Sequence, residues 1–350
     1  MAFRVGIIGC GRPWKTEGAT GFGMAHPHVQ AYQAHPECEV VACADIHEGR
    51  LKLFGSEYGI SGQYSTAEEM LAKEKLDIVS ICLWPHLHAE YTLKAAEAGV
   101  KAIHCEKPMA TTWGDARRMA AVCREKGVQL SFNHMRRFLE PFQKARELLR
   151  AGTIGELLTM EASCGDLYDW GTHWLNMLSF FNEETPAEWV IGQIDCREDR
   201  KIFGAPIEGQ GLAHMKYRNQ VRGLIITGYE ATIGCMIRLV GTDGIIEVHD
   251  PQPCVRYRGK GDGELRTIHT SEGIHGSDAH RRGIFDLIEG LKTGKEPELS
   301  AAHTLPGTEI IFATYESSRK RGRVDLPLEA EDSAFLAMLE SGDVGPKRSR

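Results

Sequence analysis

Phe3-Arg4-Val5-Gly6-Ile7-Ile8-Gly9-Cys10-Gly11, taken with Cys43-Ala44-Asp45 downstream, decides the fold. An unbroken apolar run that ends in glycine has the pattern of a strand buried on both faces and followed by a tight turn. A dinucleotide-binding fold needs glycine at such a turn, here Gly9 and Gly11, so that the backbone can approach a pyrophosphate. Asp45 closes the second run, where an acid accepts both ribose hydroxyls of an adenosine and repels a 2′-phosphate. That favours NAD over NADP. The fingerprint is interrupted: residues 12–22 read as an insertion, with Ala25 as the third small residue. Arg12 and Lys15, inside the insertion, read either as contacts to the cofactor phosphates or as solvated side chains.

Outward from this stretch the alternation continues. Apolar runs at 4–8, 39–44, 78–82, 102–104 and 129–132 are separated by amphipathic segments at 28–34, 48–58, 66–72, 87–98 and 112–125. Strand–helix alternation with continuous apolar strands predicts a doubly wound parallel sheet of Rossmann type. After Phe132 the pattern changes. A helix at 140–151 is followed by strand-like runs at 156–163, 187–195, 212–217, 223–228, 235–240 and 244–248, and by helices at 280–293 and 308–319. Strands in succession with turns such as Thr242-Asp243-Gly244 predict an α+β domain with a large, mostly antiparallel sheet. The expected division is residues 1–132 for dinucleotide binding and 133–350 for substrate binding and oligomerisation.

Composition agrees with a two-domain globular protein. The 350 residues carry a formal net charge of −7 with no long basic run, which argues against nucleic-acid or membrane-surface binding. The basic end, Lys347, Arg348 and Arg350, reads as a frayed tail. No apolar stretch approaches the ~20 residues that span a bilayer, and the N-terminal residues read as a strand, not a signal peptide. The ten cysteines form no C-x-x-C pair and several lie in strand-like runs, which suits a reducing cytoplasm.

Two further segments carry chemistry. His104-Cys105-Glu106-Lys107-Pro108 stands at the carboxyl end of a predicted parallel strand, where open sheets bind ligands. A lysine there can donate hydrogen bonds to a substrate oxygen. Asp169-Trp170-Gly171-Thr172-His173-Trp174-Leu175-Asn176, read as the opening of a helix, puts Asp169, His173 and Asn176 on one face. Glu106 reads as an ion-pair partner that orients its loop. One of Trp170 and Trp174 is a candidate to stack on a sugar ring, the other for the core. The pairs His26/His28 and His86/His88 lack accompanying Cys or carboxylate ligands, so no metal is expected.

Together these segments resemble the Gfo/Idh/MocA oxidoreductases, the family of glucose–fructose oxidoreductase and inositol dehydrogenase. The resemblance covers almost the whole chain. It rests on the G-x-G turn, on Glu106-Lys107-Pro108, on Asp169–His173, and on Asn133-His134-Met135-Arg136-Arg137-Phe138. It implies that Lys107 contacts the reacting hydroxyl and the nicotinamide ribose, and that His173 takes the hydroxyl proton. It implies that Asp169 positions substrate or histidine, that Arg136 lines the substrate site, and that Pro108 follows Lys107 on a cis bond. His88 matches the later histidine of a turn that here reads Leu83-Trp84-Pro85-His86-Leu87-His88, where the family usually has T-P-N. Asn176 stands where many relatives have Asp. The chemistry suits alcohol oxidation: histidine is a base near neutral pH, and an ammonium stabilises charge developing on oxygen.

The expected function is therefore hydride transfer between a nicotinamide and a secondary hydroxyl of a sugar, cyclitol or glycoside. Cofactor contacts are expected at Gly9, Gly11, Arg12, Ala25, Asp45, His88, Glu106 and Lys107, and substrate contacts at Arg136, Trp170 and Asn176. Two alternatives remain at this point: an NAD-dependent glycoside hydrolase or lyase working through transient C3 oxidation, and a sugar or cofactor sensor. The resemblance also implies a homo-oligomer, dimer or tetramer, built through the second domain's sheet.

Overall fold

The computed structural model describes residues 2–346 apart from 14, 18, 229, 252 and 253. The basic tail Lys347, Arg348 and Arg350 lies outside them. In chain order the first elements are β1 (Phe3–Ile8), α1 (Ala25–Gln33), β2 (Cys38–Ala44), α2 (Glu48–Tyr58), β3 (Gly62–Tyr64), α3 (Ala67–Lys73), β4 (Ile78–Ile81), α4 (Pro85–Glu97), β5 (Ala102–Cys105), α5 (Trp113–Glu125) and β6 (Gln129–Phe132). There follow α6 (Glu140–Arg150), β7 (Leu157–Cys164), α7 (Gly171–Phe181), β8 (Ala187–Asp195), β9 (Arg200–Ile202), β10 (Ala205–Ile207), β11 (Gln210–Tyr217), β12 (Arg222–Gly228), β13 (Ile237–Gly241), β14 (Ile245–Val248), β15 (Val255–Arg258) and β16 (Arg266–Ile268). The chain closes with α8 (Ala279–Thr293), α9 (Ala301–Lys320), β17 (Val324–Asp325) and α10 (Ala334–Ser341). Two compact units result. One contains Met1–Thr111, Asp115–Met135 and Ser277–Thr304; the other contains Thr112–Gly114, Arg136–Gly276 and Leu305–Arg350.

The first unit is a six-stranded sheet in the order β3-β2-β1-β4-β5-β6, parallel throughout. Every residue of β4 and β5 is buried, as strands covered on both faces must be. The strand order reverses between β1 and β4, the switch point outside whose carboxyl ends such sheets bind ligands. One core gathers Val5, Ile7, Ala25, Val29 and Tyr32 with Ile284, Leu287 and Ile288 of α8. Thus α8, far along the sequence, packs on α1. Its apolar spacing announces a buried face but carries no information about what covers it.

The second unit is built on a nine-stranded sheet, β16-β15-β14-β13-β7-β12-β11-β8-β17. Its pairs are antiparallel except β7 with β12, which run parallel. Residues of α7 are buried along its whole length, and the helix packs on β7 and β12. Gly307 of α9 permits a close approach to it: a Cβ there would lie 3.0 Å from the Asn176 nitrogen. The helix begins at Gly171 with Trp170 as its N-cap, so Asp169 belongs to the preceding turn. The shared helix face expected for Asp169, His173 and Asn176 therefore holds only for the last two. Asp169 is diverted because the Asp166 carboxylate accepts the Asp169 and Trp170 N–H groups at 2.5 and 3.2 Å, closing a turn before the helix starts.

Candidate active site

In the first unit the glycine turn has the required geometry. Gly9 and Gly11 have φ of 87° and 56°. A Cβ on Gly9 would lie 2.7 Å from the Cys82 carbonyl oxygen, so only glycine fits between β1 and β4. Gly11 and Gly23 adjoin: a Cβ on Gly11 would stand 3.5 Å from the Gly23 Cα. The described residues between Gly11 and Gly23 thus leave the turn and return to it. Within this excursion the Arg12 guanidinium donates to the Glu17 carbonyl at 2.6 Å. Ala25 opens α1 fully buried in the core, the role of a third small residue in helix–strand packing. The Asp45 carboxylate accepts the Cys10 N–H at 2.9 Å and the His47 N–H at 2.8 Å, tying the end of β2 to the turn. A Gly9 that no side chain can replace, a Gly11 in the left-handed region, and a carboxylate at the end of β2 suit a dinucleotide.

The loop after β5 is anchored from below. Lys107–Pro108 is a cis peptide. Glu106, 6% exposed, accepts from His28 Nε2 at 3.0 Å, from Asn133 Nδ2 at 2.6 Å and from the Lys107 N–H at 3.2 Å. The other ring nitrogen of His28 meets the Ser80 hydroxyl at 2.7 Å. Asn133 also contacts His280 of α8. This buried set joins α1, β4, α8 and the loops after β5 and β6. Burial disfavours the charged form of both partners, but the pairing wins. The Glu106 carboxyl is held down to about 2 by His28 and Asn133. The His28 imidazole is pushed up to about 10 by Cys82 and Glu106. His104, its ring centroid 4.9 Å from that of His28, is driven the other way by burial and stays neutral. Lys107 itself is half-buried. His88 is wholly buried, with ring nitrogens 2.9 Å from the Pro108 carbonyl and 3.0 Å from the Leu83 carbonyl, so it braces the same loop.

In the second unit Arg136, Asp169, His173 and Asn176 are buried and Trp170 is partly exposed. Beneath their turn, Glu208 accepts the Leu167 N–H and, at 2.8 Å, the Tyr315 hydroxyl. Burial, reinforced by Asp166, pushes the Glu208 carboxyl up to about 7. The indole of Trp174 donates to the Ser163 carbonyl at 2.9 Å and is core, whereas Trp170 is 37% exposed. Asn176 is occupied by Arg137, whose Nε donates to its Oδ1 at 2.7 Å and whose fork also reaches Glu184 at 2.6 Å. The Arg136 guanidinium carbon lies 5.5 Å from the Trp170 ring and 5.0 Å from the Trp174 ring, and the two indoles meet edge to face with centroids 6.2 Å apart. The supporting residues His28, Asn133, His280, Asp166 and Glu208 were not singled out for these roles by sequence. The partners of His28, Asn133, His280 and Glu208 lie too far along the chain for spacing to reveal, whereas Asp166 closes a local turn.

A family model described as an oxidoreductase family with NAD-binding Rossmann fold matches residues 3–134. Its companion, the C-terminal alpha/beta domain of the same family, matches residues 146–326. D-apiose dehydrogenase of Paraburkholderia graminis is 27% identical over 96% of this chain and 93% of its own length. Myo-inositol 2-dehydrogenase of Thermotoga maritima is 28% identical over 92% of this chain and 98% of its own. Among solved structures, a levoglucosan dehydrogenase in complex with NADH and levoglucosan superposes with a TM-score of 0.79 at 20% identity. It covers 94% of this chain and 100% of its own. Among the described residues no helix is long and apolar enough to cross a membrane.

Proposed function

Because the chain belongs to the Gfo/Idh/MocA oxidoreductase family, we propose that it is an NAD-dependent dehydrogenase acting on a secondary hydroxyl of a sugar, cyclitol or glycoside. The supporting observation is the anchored Glu106-Lys107-Pro108 loop in a unit that also carries the glycine turn and Asp45. Gly9 and Gly11 hold the pyrophosphate, and Asp45 takes the adenosine ribose and disfavours NADP. The bound nicotinamide supplies hydride acceptance from the carbinol carbon.

The chain's own residues do the rest. Lys107 donates a hydrogen bond to the reacting oxygen and stabilises its developing negative charge. His173 takes the hydroxyl proton on an imidazole nitrogen. Asp169 orients the histidine or the substrate, and the exposed face of Trp170 stacks on the ring. Glu106 acts on the reaction through Lys107, as a positioning residue.

The protein is further proposed to work as a homo-oligomer in the cytoplasm. One face of the second unit's sheet presents Ile191 and Leu212, 46% and 44% exposed, beside the half-buried Leu224 and Ile226. Such a patch calls for a partner surface. All ten cysteines are free, as in a reducing compartment.

Turnover tests the proposal. Purified protein, given NAD and a panel of sugars, inositols and glycosides, should form NADH stoichiometrically with oxidised product. Lys107→Ala and His173→Ala should each lower kcat by ~100-fold or more. Glycoside cleavage without net NADH would replace the proposal with the hydrolase alternative, and unchanged rates in both variants would remove the assigned roles.

A further inference from the structure

Adjacent arginines in the second unit meet opposite fates. Arg137 is wholly buried and fully employed: Asn176 and Glu184 take its fork. Arg136 is 5% exposed, yet its Nε is buried without a hydrogen-bond partner, and no carboxylate among the described residues forms an ion pair with it. The rings of Trp170 and Trp174, which meet edge to face, both lie within 5.5 Å of the guanidinium carbon. They offer cation–π attraction but not the acceptors that its planar set of N–H donors requires. Asp169 and Asp250 act on it only at a distance. Asp250 is also near His275, at 3.7 Å, and burial together with Arg136 keeps that imidazole's pKa low. His275 in turn stands edge-on to Trp170, ring centroids 5.9 Å apart. A buried guanidinium is costly without acceptors, and proteins rarely leave one so.

We infer that Arg136 is a carboxylate receptor, and that the substrate is a sugar acid or another polyol bearing a carboxylate, which the unpaired guanidinium receives beside Trp170. The inference rests on the dehydrogenase proposal for the choice of polyol, while the preference for an anion follows from Arg136 itself. A guanidinium fork matches a carboxylate in bidentate fashion. The neighbouring Asp169 and Asp250 oppose a doubly charged phosphate more than a singly charged carboxylate. Trp170, 37% exposed, offers aromatic surface against which the remainder of the substrate can pack.

The test compares matched compounds on the full chain: D-glucose, D-galactose and myo-inositol against D-glucuronate, D-galacturonate and D-gluconate, with D-glucose 6-phosphate as the phosphate arm. In NAD reduction the best acid should exceed its neutral counterpart in kcat/KM by ~100-fold or more, because a site built for a charged hydrogen-bonding group rejects the analogue lacking it. Arg136→Gln should bring that ratio to within ~5-fold, and Arg136→Lys should leave it intermediate, since a point charge cannot replace the fork. The wild-type ratio is decisive even if a variant fails to fold. Thermal midpoints with the same compounds supply a readout independent of turnover. Larger shifts with the acids, abolished in Arg136→Gln, uphold the receptor even if nothing reduces NAD, in which case the dehydrogenase proposal falls alone. Turnover in which neutral sugars match the acids overturns the receptor and leaves the dehydrogenase standing. A preference for the phosphate arm, or acids that neither bind nor react, also overturns it.

Discussion

Replacing His28 with leucine should be among the most damaging single changes in the first unit, although His28 is assigned no contact with a reacting atom. The substitution leaves the Glu106 carboxylate buried with Asn133 and the Lys107 N–H as its remaining partners named above. Removing one member of a buried ion pair costs about 3–5 kcal/mol, because the survivor keeps its desolvation penalty. At ~2–4 °C per kcal/mol for a unit of this size, the thermal midpoint should fall by about 6–20 °C. Denaturant titration of wild type, His28→Leu, Glu106→Gln and the double variant isolates the pair, and the two single losses should fail to add.

The pH dependence carries the sign. Glu106 in the folded protein titrates near 2, below its unfolded value of ~4.3. Its contribution is present above that unfolded value and is lost as pH falls through about 2. His28 titrates near 10, above its unfolded value of ~6.5. Its contribution is complete below the unfolded value and is lost as pH rises through about 10. In His28→Leu the stranded carboxyl should titrate higher, so that variant should regain stability on acidification where wild type is flat. A variant within ~1 kcal/mol of wild type at neutral pH, with an unchanged pH profile, would refute the ion pair as the loop's anchor.

Asp45→Ala should narrow the preference for NAD over NADP by about 10-fold or more in relative kcat/KM, because the acid's repulsion of a 2′-phosphate is lost; an unchanged ratio would place selectivity elsewhere. Glu208→Gln should remove a pH dependence that wild type shows. The folded carboxyl titrates near 7, so its stabilising contribution is present below the unfolded value and is lost as pH rises through 7. Relative to the variant, wild type should lose on the order of 3 kcal/mol between mildly acidic and mildly alkaline pH by denaturant titration. Parallel curves would show that Glu208 is ionised throughout.

What sequence reveals about this protein follows the range of the physics. The strand patterns around Val5, Ile78 and Ile103 are local, as are the glycines after β1 and the acid after β2, and each is legible from a few residues. Short edge strands are not: β3 spans Gly62–Tyr64 and β17 only Val324–Asp325, too few residues for an alternation to declare itself. The parallel pairing of β7 with β12 is equally silent, because a strand's own pattern does not state the direction of its neighbour. Lys107 and His173 stand out through their motifs, but what holds them does not. His28 and Glu106 are far apart in sequence, as are Glu208 and the Asp166 turn, and only folding brings each pair within hydrogen-bond reach. The resemblance marks Arg136 for the substrate site, but sequence does not state how the partners of Arg136 and Arg137 differ. Only the presence of partners around one, and their absence among the described residues around the other, separates a structural arginine from a receptor.

Isotopic labelling follows the proposed hydride from the substrate carbon to the nicotinamide. With a reactive polyol deuterated at the carbinol carbon, one deuterium per turnover should appear in the reduced nicotinamide, together with a slowed kcat/KM. Product formed with no deuterium in the nicotinamide and no net NADH would contradict it.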